Sequence, residues 1–196
     1  MRVALVRHGE TIWNSARRLQ GRADAPLSEL GRDQVAALAT SLGRFELVVR
    51  SPLARTAETA MLLGYPAARV DERWTELDLG DWTGRDVTDL PVEDVTGWRA
   101  GTFLPPGAEP YDDAELRVGA ALAALAGSGA TEALVITHGG AIRAAVGALT
   151  GFARGVLSPV PPASTTVLDL AARSLVTYGA PVMLAAALLS SDGGTL

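Results

Sequence analysis

The chain has 196 residues, of which 48% are hydrophobic, and a formal net charge of −5; this is enough apolar material for a substantial core and predicts one domain over residues 1–196. The acidic balance excludes a general nucleic-acid or anionic-membrane surface, so any anion must be bound locally. The absence of cysteine excludes disulfides, thiolate catalysis and thiolate metal sites; with no uncharged run of the roughly 18–20 residues a span needs, and a first strand that begins at Arg2, the expected location is the cytoplasm.

Taken in chain order, strands alternate with helices. Val3 to Val6 is a short, continuously apolar run that predicts a strand buried on both faces. A polar, arginine-rich loop (Asn14 to Ala25) leads to a helix opening at Leu27-Ser28 and running through Leu42, with Leu30, Val35, Leu38, Ala39 and Leu42 as its apolar stripe and Gly43 as its stop. Leu47 to Val49 is the next buried strand. Ser51 reads as an N-cap with Pro52 at the first helical position, and that helix runs to about Leu63, placing Arg55 near its first turn. A short strand near Ala68 to Val70 precedes the loop Trp74 to Gly84. Residues 85–113 carry a weaker signal, a short helix around Val87 to Val95 and then a Gly- and Pro-rich stretch, and form the expected lid or specificity region. Ala114 to Ala126 predicts a helix, Ala133 to Thr137 a buried strand, and Ala141 to Leu149 a helix ended by Gly151. Thr165 to Leu170 and Ser174 to Tyr178 read as a hairpin closing one sheet edge. In the tail, about 180–196, Val182 to Leu189 is apolar enough to pack on the body or to form a homo-oligomer contact. This alternation predicts an α/β fold, a mainly parallel central sheet with helices on both faces, which binds ligands outside the carboxyl ends of its strands.

Three motifs fall at that edge. The only two histidines each follow a short apolar run and precede glycine, at Arg7-His8-Gly9 and at Thr137-His138-Gly139-Gly140; Ser51-Pro52-Leu53-Ala54-Arg55-Thr56 follows the second strand. Arg7 and Arg55 offer planar, permanently charged donors that match phosphate oxygens. Backbone N–H groups at the helix start after Gly139 and Gly140 add further donors for an anion. An imidazole held in line with phosphorus can attack it, dividing one hard displacement into two easier ones, and His8 is the chosen nucleophile. Its other ring nitrogen must be fixed by an acceptor, expected to be a backbone carbonyl. Arg7, Arg55, Asn14 and His138 can stabilise the transferring phosphoryl group. Protonation of the alkoxide needs an acid, for which Glu76 is the best candidate and Glu10 and Asp78 are competitors. Gln20, Gly21 and Gly139 are further candidate phosphate contacts. Bland readings stand beside these: Arg55 as a solvated helix arginine, Asn14 as a turn cap, Trp13, Trp74 and Trp82 as packing residues, and Arg17, Arg18 and Arg22 as a solvated loop.

Leu5-Val6-Arg7-His8-Gly9-Glu10-Thr11 with Trp13-Asn14 resembles the signature of the histidine phosphatase superfamily, the phosphoglycerate-mutase-like proteins. Ser51-Pro52-Leu53 with Arg55-Thr56, Glu76 to Gly84, and Thr137 to Gly140 resemble its later motifs. The resemblance implies a three-layer α/β/α sandwich and a phosphatase with His8 as phosphorylated nucleophile. It further implies that Arg7, Asn14, Arg55 and His138 surround the phosphate, that Glu76 is the proton donor, and that no metal or cofactor is needed. The Gly80-x-Trp82-x-Gly84 form resembles the broad phosphatase branch that includes α-ribazole and sugar-phosphate phosphatases. Pro105-Pro106-Gly107-Ala108-Glu109 resembles a Pro-Gly-Gly-Glu-Ser loop of that branch, with Ala108 and Pro110 in place of the second glycine and the serine. The expected partner is a small phosphorylated metabolite. A phosphoryl-shifting mutase and a non-catalytic phospho-ligand-binding module are the alternatives, and nothing in residues 98–113 identifies the alcohol.

Overall fold

Val3, Ala4, Leu5 and Val6 are all inaccessible to solvent, because the strand they form, β1 (Arg2–Arg7), lies inside the sheet with helices above and below. In the computed structural model, which describes residues 1–181, the sheet is completed by β2 (Leu47–Arg50), β3 (Arg69–Val70), β4 (Glu132–Thr137), β5 (Thr165–Asp169) and β6 (Ser174–Ala180), in the order β3-β2-β4-β1-β5-β6. The pairs β3–β2, β2–β4 and β4–β1 are parallel; β5 runs antiparallel to both β1 and β6. The predicted hairpin therefore closes one edge of the sheet. The tail from Val182 onward, with its apolar stretch to Leu189, lies outside the described residues.

The period-two alternation of a strand assigns the faces. Ala4 and Val6, with Leu134 and Ile136 of β4, pack against Val35 and Leu38 of α2 (Glu29–Ala39) and Ala60 of α3 (Ala54–Leu62). Val3 and Leu5, with Ala133 and Val135, meet the other layer, built on α5 (Tyr111–Ala126) and α6 (Gly139–Thr150). This is the expected three-layer α/β/α sandwich. One short helix, α1 (Ile12–Ser15), follows β1, and α4 (Val92–Ala100) lies in the lid region.

α2 ends at Ala39, short of the expected Leu42, and its buried face and the lid-region helix also differ from the sequence reading. α2 buries Gly31, Val35 and Leu38, whereas Leu30 is 55% exposed. The helix phase is set by a close crossing at Gly31, where a Cβ would stand 2.0 Å from the Glu10 carbonyl oxygen. In the lid, Pro91 separates a single tight turn (Val87–Asp89) from α4, so the predicted helix is divided and extends further; proline supplies no N–H to continue the first turn. Residues 85–113, the expected lid region, are anchored by aromatic packing, with Trp82 edge-on to Trp98 at 5.7 Å and stacked on Phe103 at 5.5 Å. Trp74 and Trp82 are buried packing residues.

Candidate active site

The strand order puts the ends of β2, β4 and β1 side by side. In register, Arg7 pairs with Thr137 and Arg50 with Ile136, so His8, His138 and Ser51 leave adjacent strands at the same edge. The amide of His8 donates to the Thr137 carbonyl (3.0 Å), which carries the parallel pairing to the threshold of the site. The two imidazole rings meet edge to face, their centroids 5.2 Å apart. His8 is 3% exposed and His138 fully buried.

Neighbouring groups of fixed hydrogen-bonding character set both tautomers. A guanidinium can only donate and a carbonyl can only accept. Arg55 Nε lies 3.3 Å from His8 Nε2 and 3.2 Å from His138 Nδ1, so its single N–H is shared by two ring lone pairs. His8 Nδ1 is then the N–H partner of the Gly9 carbonyl at 2.7 Å, the backbone acceptor that the sequence anticipated without locating. His138 correspondingly donates from Nε2 to Ser51 Oγ at 2.7 Å. Burial above all, then the charges of Arg7 and Arg55, hold His8 well below the usual imidazole value of 6.5. Burial followed by the Arg55 charge does the same to His138. Nε2 of His8 thus keeps its lone pair at neutral pH.

This neutrality predicts how stability responds to acid. The unfolded chain takes up protons on both imidazoles below about pH 6.5 while the native chain does not, so stability is complete above that pH and declines beneath it, by up to about 1.4 kcal/mol per pH unit for each ring. Urea denaturation between pH 8 and 5.5 should give a constant free energy down to about 6.5 and then a fall. A value that stays flat to pH 5.5 would contradict the neutral pair.

Ser51 does not cap α3. Its hydroxyl meets His138 and accepts from the amide of Leu53 (3.4 Å), the residue before the helix, and the orphan N–H groups of Ala54 and Arg55 are taken instead by the Asp24 carboxylate from the preceding loop. The helix accordingly starts at Ala54. Asp24 also accepts from Arg55 Nη1 (3.2 Å), Ala23 accepts from the same nitrogen (2.8 Å), and Gly21 accepts from Nη2 (2.8 Å). Arg55 is therefore no solvated helix arginine: at 1% exposure, its Nη1 and one Nη2 hydrogen are held by the loop and its Nε–H by the two imidazoles, leaving one Nη2 hydrogen for a ligand. Removing the Ser51 hydroxyl should strand a buried imidazole N–H at a cost of about 1–3 kcal/mol. Ser51→Ala is expected to melt lower and turn over more slowly, whereas Ser51→Thr, which keeps the acceptor, should recover part of both losses in thermal unfolding and rate assays.

Glu76 occupies the start of α6. Its carboxylate accepts from the amides of Leu77 (2.9 Å), Gly140 (3.1 Å) and Ala141 (3.1 Å). The helix N-terminus that the sequence reading offered to phosphate is held by the candidate acid itself, an arrangement favoured by the partial positive charge there. The seat requires glycine, since a Cβ on residue 140 would lie 2.3 Å from Glu76 Oε1. Arg7 leans against Gly139, donates to the Val160 carbonyl through Nη1, and leaves Nε buried with no partner among the described residues. Burial lowers it to about 10, with Glu76 opposing and Arg55 and Arg143 adding to the fall, so it stays cationic at neutral pH.

Arg7, His8, Arg55 and Glu76 line a cleft of about 630 Å³ together with Asn14, Gln20, Gly21, Arg18 and Gly139, whereas the fully buried His138 lies behind this wall and meets it through Arg55. Asn14 is both a turn cap and a cleft residue: its Oδ1 accepts from the Thr11 amide in a capping box, leaving its NH2 as the group it offers a ligand. Gln20 donates to Thr11 Oγ1, and its own Oε1 is buried without a partner among the described residues. Gly21 acts through its carbonyl on Arg55. Glu10 bonds to Ser28 and Asp78 to the amide of Gly80, and neither competitor of Glu76 lines the cleft. Arg143, buried on α6 and lining the cleft, was missed in the sequence reading. The signal was present, a lone charge in the otherwise apolar Gly-Gly-Ala-Ile-Arg-Ala-Ala-Val, one turn beyond the His138 motif.

With this arrangement in view, comparison with known proteins places it. The model of the histidine phosphatase superfamily (branch 1) matches residues 3–177, and the chain belongs to that superfamily. A glucosyl-3-phosphoglycerate phosphatase of Mycobacterium tuberculosis is 38% identical over 167 residues, covering 76% of this chain and 74% of the relative. A probable phosphoglycerate mutase of Salmonella newport is 37% identical over 164 residues, 77% of this chain and 75% of its own. Among solved structures, mycobacterial glucosyl-3-phosphoglycerate phosphatase in complex with VO3 superposes with a TM-score of 0.78 at 34% identity, covering 86% of this chain and 92% of that one. Bacillus stearothermophilus YhfR gives 0.79 at 26% identity, over 91% and 96%.

Proposed function

We propose that this chain is a phosphatase that hydrolyses a small-molecule phosphomonoester through a phosphohistidine on His8, without a metal ion. The observation that carries this reading is the unprotonated Nε2 of a buried histidine beside Arg55, in a cleft shared with Arg7 and Glu76. In the first step Nε2 bonds to phosphorus as the ester P–O bond breaks, and Glu76 in its acid form gives the departing alkoxide its proton. In the second, Glu76 as carboxylate takes a proton from water, the hydroxide bonds to phosphorus, the N–P bond breaks, and inorganic phosphate leaves with His8 restored. Arg7, Arg55 and Asn14 are assigned to the phosphoryl oxygens, where catalysis is mostly positioning and charge stabilisation, and His138, whose N–H goes to Ser51 and whose Nδ1 accepts from Arg55, is assigned to holding Arg55 in place beside His8. Gln20, Gly21 and Gly139 shape the same wall.

Among the described residues no group of three or more His, Asp or Glu side chains is placed to hold a metal ion, and none of the steps calls for one. We read the chain as one catalytic domain acting in the cytoplasm on a small metabolite, with neither nucleic acid nor membrane as partner. No helix among the described residues is long and apolar enough to cross a membrane. Val182 to Leu189 is retained as the candidate homo-oligomer contact.

Phosphate release from a panel containing 3-phosphoglycerate, glucosyl-3-phosphoglycerate, ribazole phosphate and p-nitrophenyl phosphate, in excess EDTA, tests the reading. Release that persists in EDTA supports it. Loss of all activity on chelation would overturn the metal-free mechanism, and isomerisation of phosphoglycerate without release would replace the phosphatase by a mutase.

A further inference from the structure

One charged side chain in the cleft is not used by that mechanism. Arg143 is 8% exposed and lines the cleft, yet it forms no hydrogen bond and no ion pair with any described residue. A guanidinium withdrawn from water without a counter-charge is costly, and such groups persist where a partner of opposite charge completes them. A second one stands behind it. Arg154 is 7% exposed, with Nε and Nη2 buried and unpartnered among the described residues, and its guanidinium carbon lies 5.1 Å from the centre of the Trp98 ring and 4.5 Å from that of Tyr111. The Tyr111 hydroxyl is likewise buried with no hydrogen-bond partner among the described residues. The charge of Arg143 is felt at Arg7, at Tyr111 and at Arg154. A chain of net charge −5 has thus placed Arg143 in the cleft wall without an ion pair, with Arg154 near enough for the two charges to be felt by one another.

The position of that wall says which part of a ligand would meet it. Gly140 turns its missing Cβ towards the Glu76 carboxylate, and residues three apart on a helix share a face. Arg143 therefore stands about one turn, roughly 5 Å, further along α6 on the side of Glu76. Glu76 is the group that protonates the leaving oxygen, so its side of the cleft is the alcohol's side. We infer that Arg143, backed by Arg154, reads a second anionic group carried on the alcohol portion of the substrate, a few bonds from the ester oxygen, so that the preferred phosphomonoester is one whose alcohol is itself a carboxylate or a phosphate. This rests on the hydrolytic reading above and adds the substrate class to it.

Three esters on one skeleton provide the test: glycerol 3-phosphate, 3-phosphoglycerate, in which a carboxylate replaces the terminal hydroxymethyl, and glycerol 1,3-bisphosphate, in which that end is phosphorylated. Wild-type kcat/KM should favour at least one doubly anionic ester over glycerol 3-phosphate by about tenfold or more, as expected of a site built to pair a buried charge. Which one is favoured separates carboxylate from phosphate. Arg143→Gln should bring the ratio to within about twofold, and Arg143→Lys, which keeps the charge but not the fork, should retain part of it. Equal wild-type turnover of all three, or a preference that survives in Arg143→Gln, overturns the assignment of Arg143. Because the decisive quantity is a ratio within one protein, partial unfolding of a variant does not imitate the expected result. Hydrolysis of p-nitrophenyl phosphate without discrimination sinks only this inference, whereas no release from any ester sinks the hydrolytic reading and this one with it.

Discussion

His8→Ala is expected to lower phosphate release by about 10⁴-fold or more, because the substitution removes the atom that forms the intermediate and leaves only binding and electrostatics. The structure makes this more than loss of a side chain. Nδ1 is held by Gly9, Nε2 carries the lone pair, and burial, followed by the charges of Arg7 and Arg55, keeps the ring from taking a proton. Rapid quenching of wild type with a ³²P-labelled ester should trap an acid-labile, alkali-stable phosphoprotein that His8→Ala does not form. His8→Asn offers a polar side chain without the nucleophile and should be equally inactive. Retention of more than about a hundredth of wild-type turnover in both variants would remove His8 from its assigned role.

Glu76→Gln is the second large expectation, with a loss of about 10²–10³-fold for esters of alkyl alcohols, the usual scale for a general acid. Leaving-group chemistry makes the prediction specific. An alkoxide must be protonated as it departs, whereas p-nitrophenolate is stable unprotonated, so the loss should shrink to within about tenfold for p-nitrophenyl phosphate. An equal loss on both esters would mean that Glu76 only supports the start of α6. Gly140→Ala approaches the same point from the other side: its Cβ would have to displace the carboxylate it meets at 2.3 Å. It should show the same dependence on leaving group while leaving the acid itself in the sequence.

The sequence reading located the sheet because buried parallel strands are written as uninterrupted apolar runs, and Val3 to Val6 and Ala133 to Ile136 needed no further information. It brought the candidate site residues to one sheet edge for a related reason, since polar side chains at the end of such a run have only the strand edge to occupy. What it could not supply was which acceptor each donor would find. Ser51 had every local property of a helix cap, but His138, 87 residues away, claims its hydroxyl, and Asp24 from a loop does the capping. The start of α6 was rightly read as an anion site, yet its occupant is a carboxylate from residue 76. Leu30 belonged to the apolar stripe on periodicity alone, and a backbone crossing at Gly31 turned it outward. Each discrepancy comes from a contact distant in sequence that propensity and spacing do not encode.

α6 begins immediately after His138, receives Glu76 on its first turn and bears Arg143 on its second. His138, the carboxylate proposed as proton donor and the cation proposed for the alcohol side are thereby tied to a single rigid rod, which faces α5 through Gly147 against Glu115 and Ala148 against Gly119 and is buried along nearly its whole length. Any enlargement of those small residues would tilt the rod as a unit, so rate and substrate choice would change together. In a lineage that diversifies its substrates, the independent adjustments would have to be made off this rod, for which Thr96, Trp98 and Arg99, in the cleft wall but on another helix, are the nearest positions.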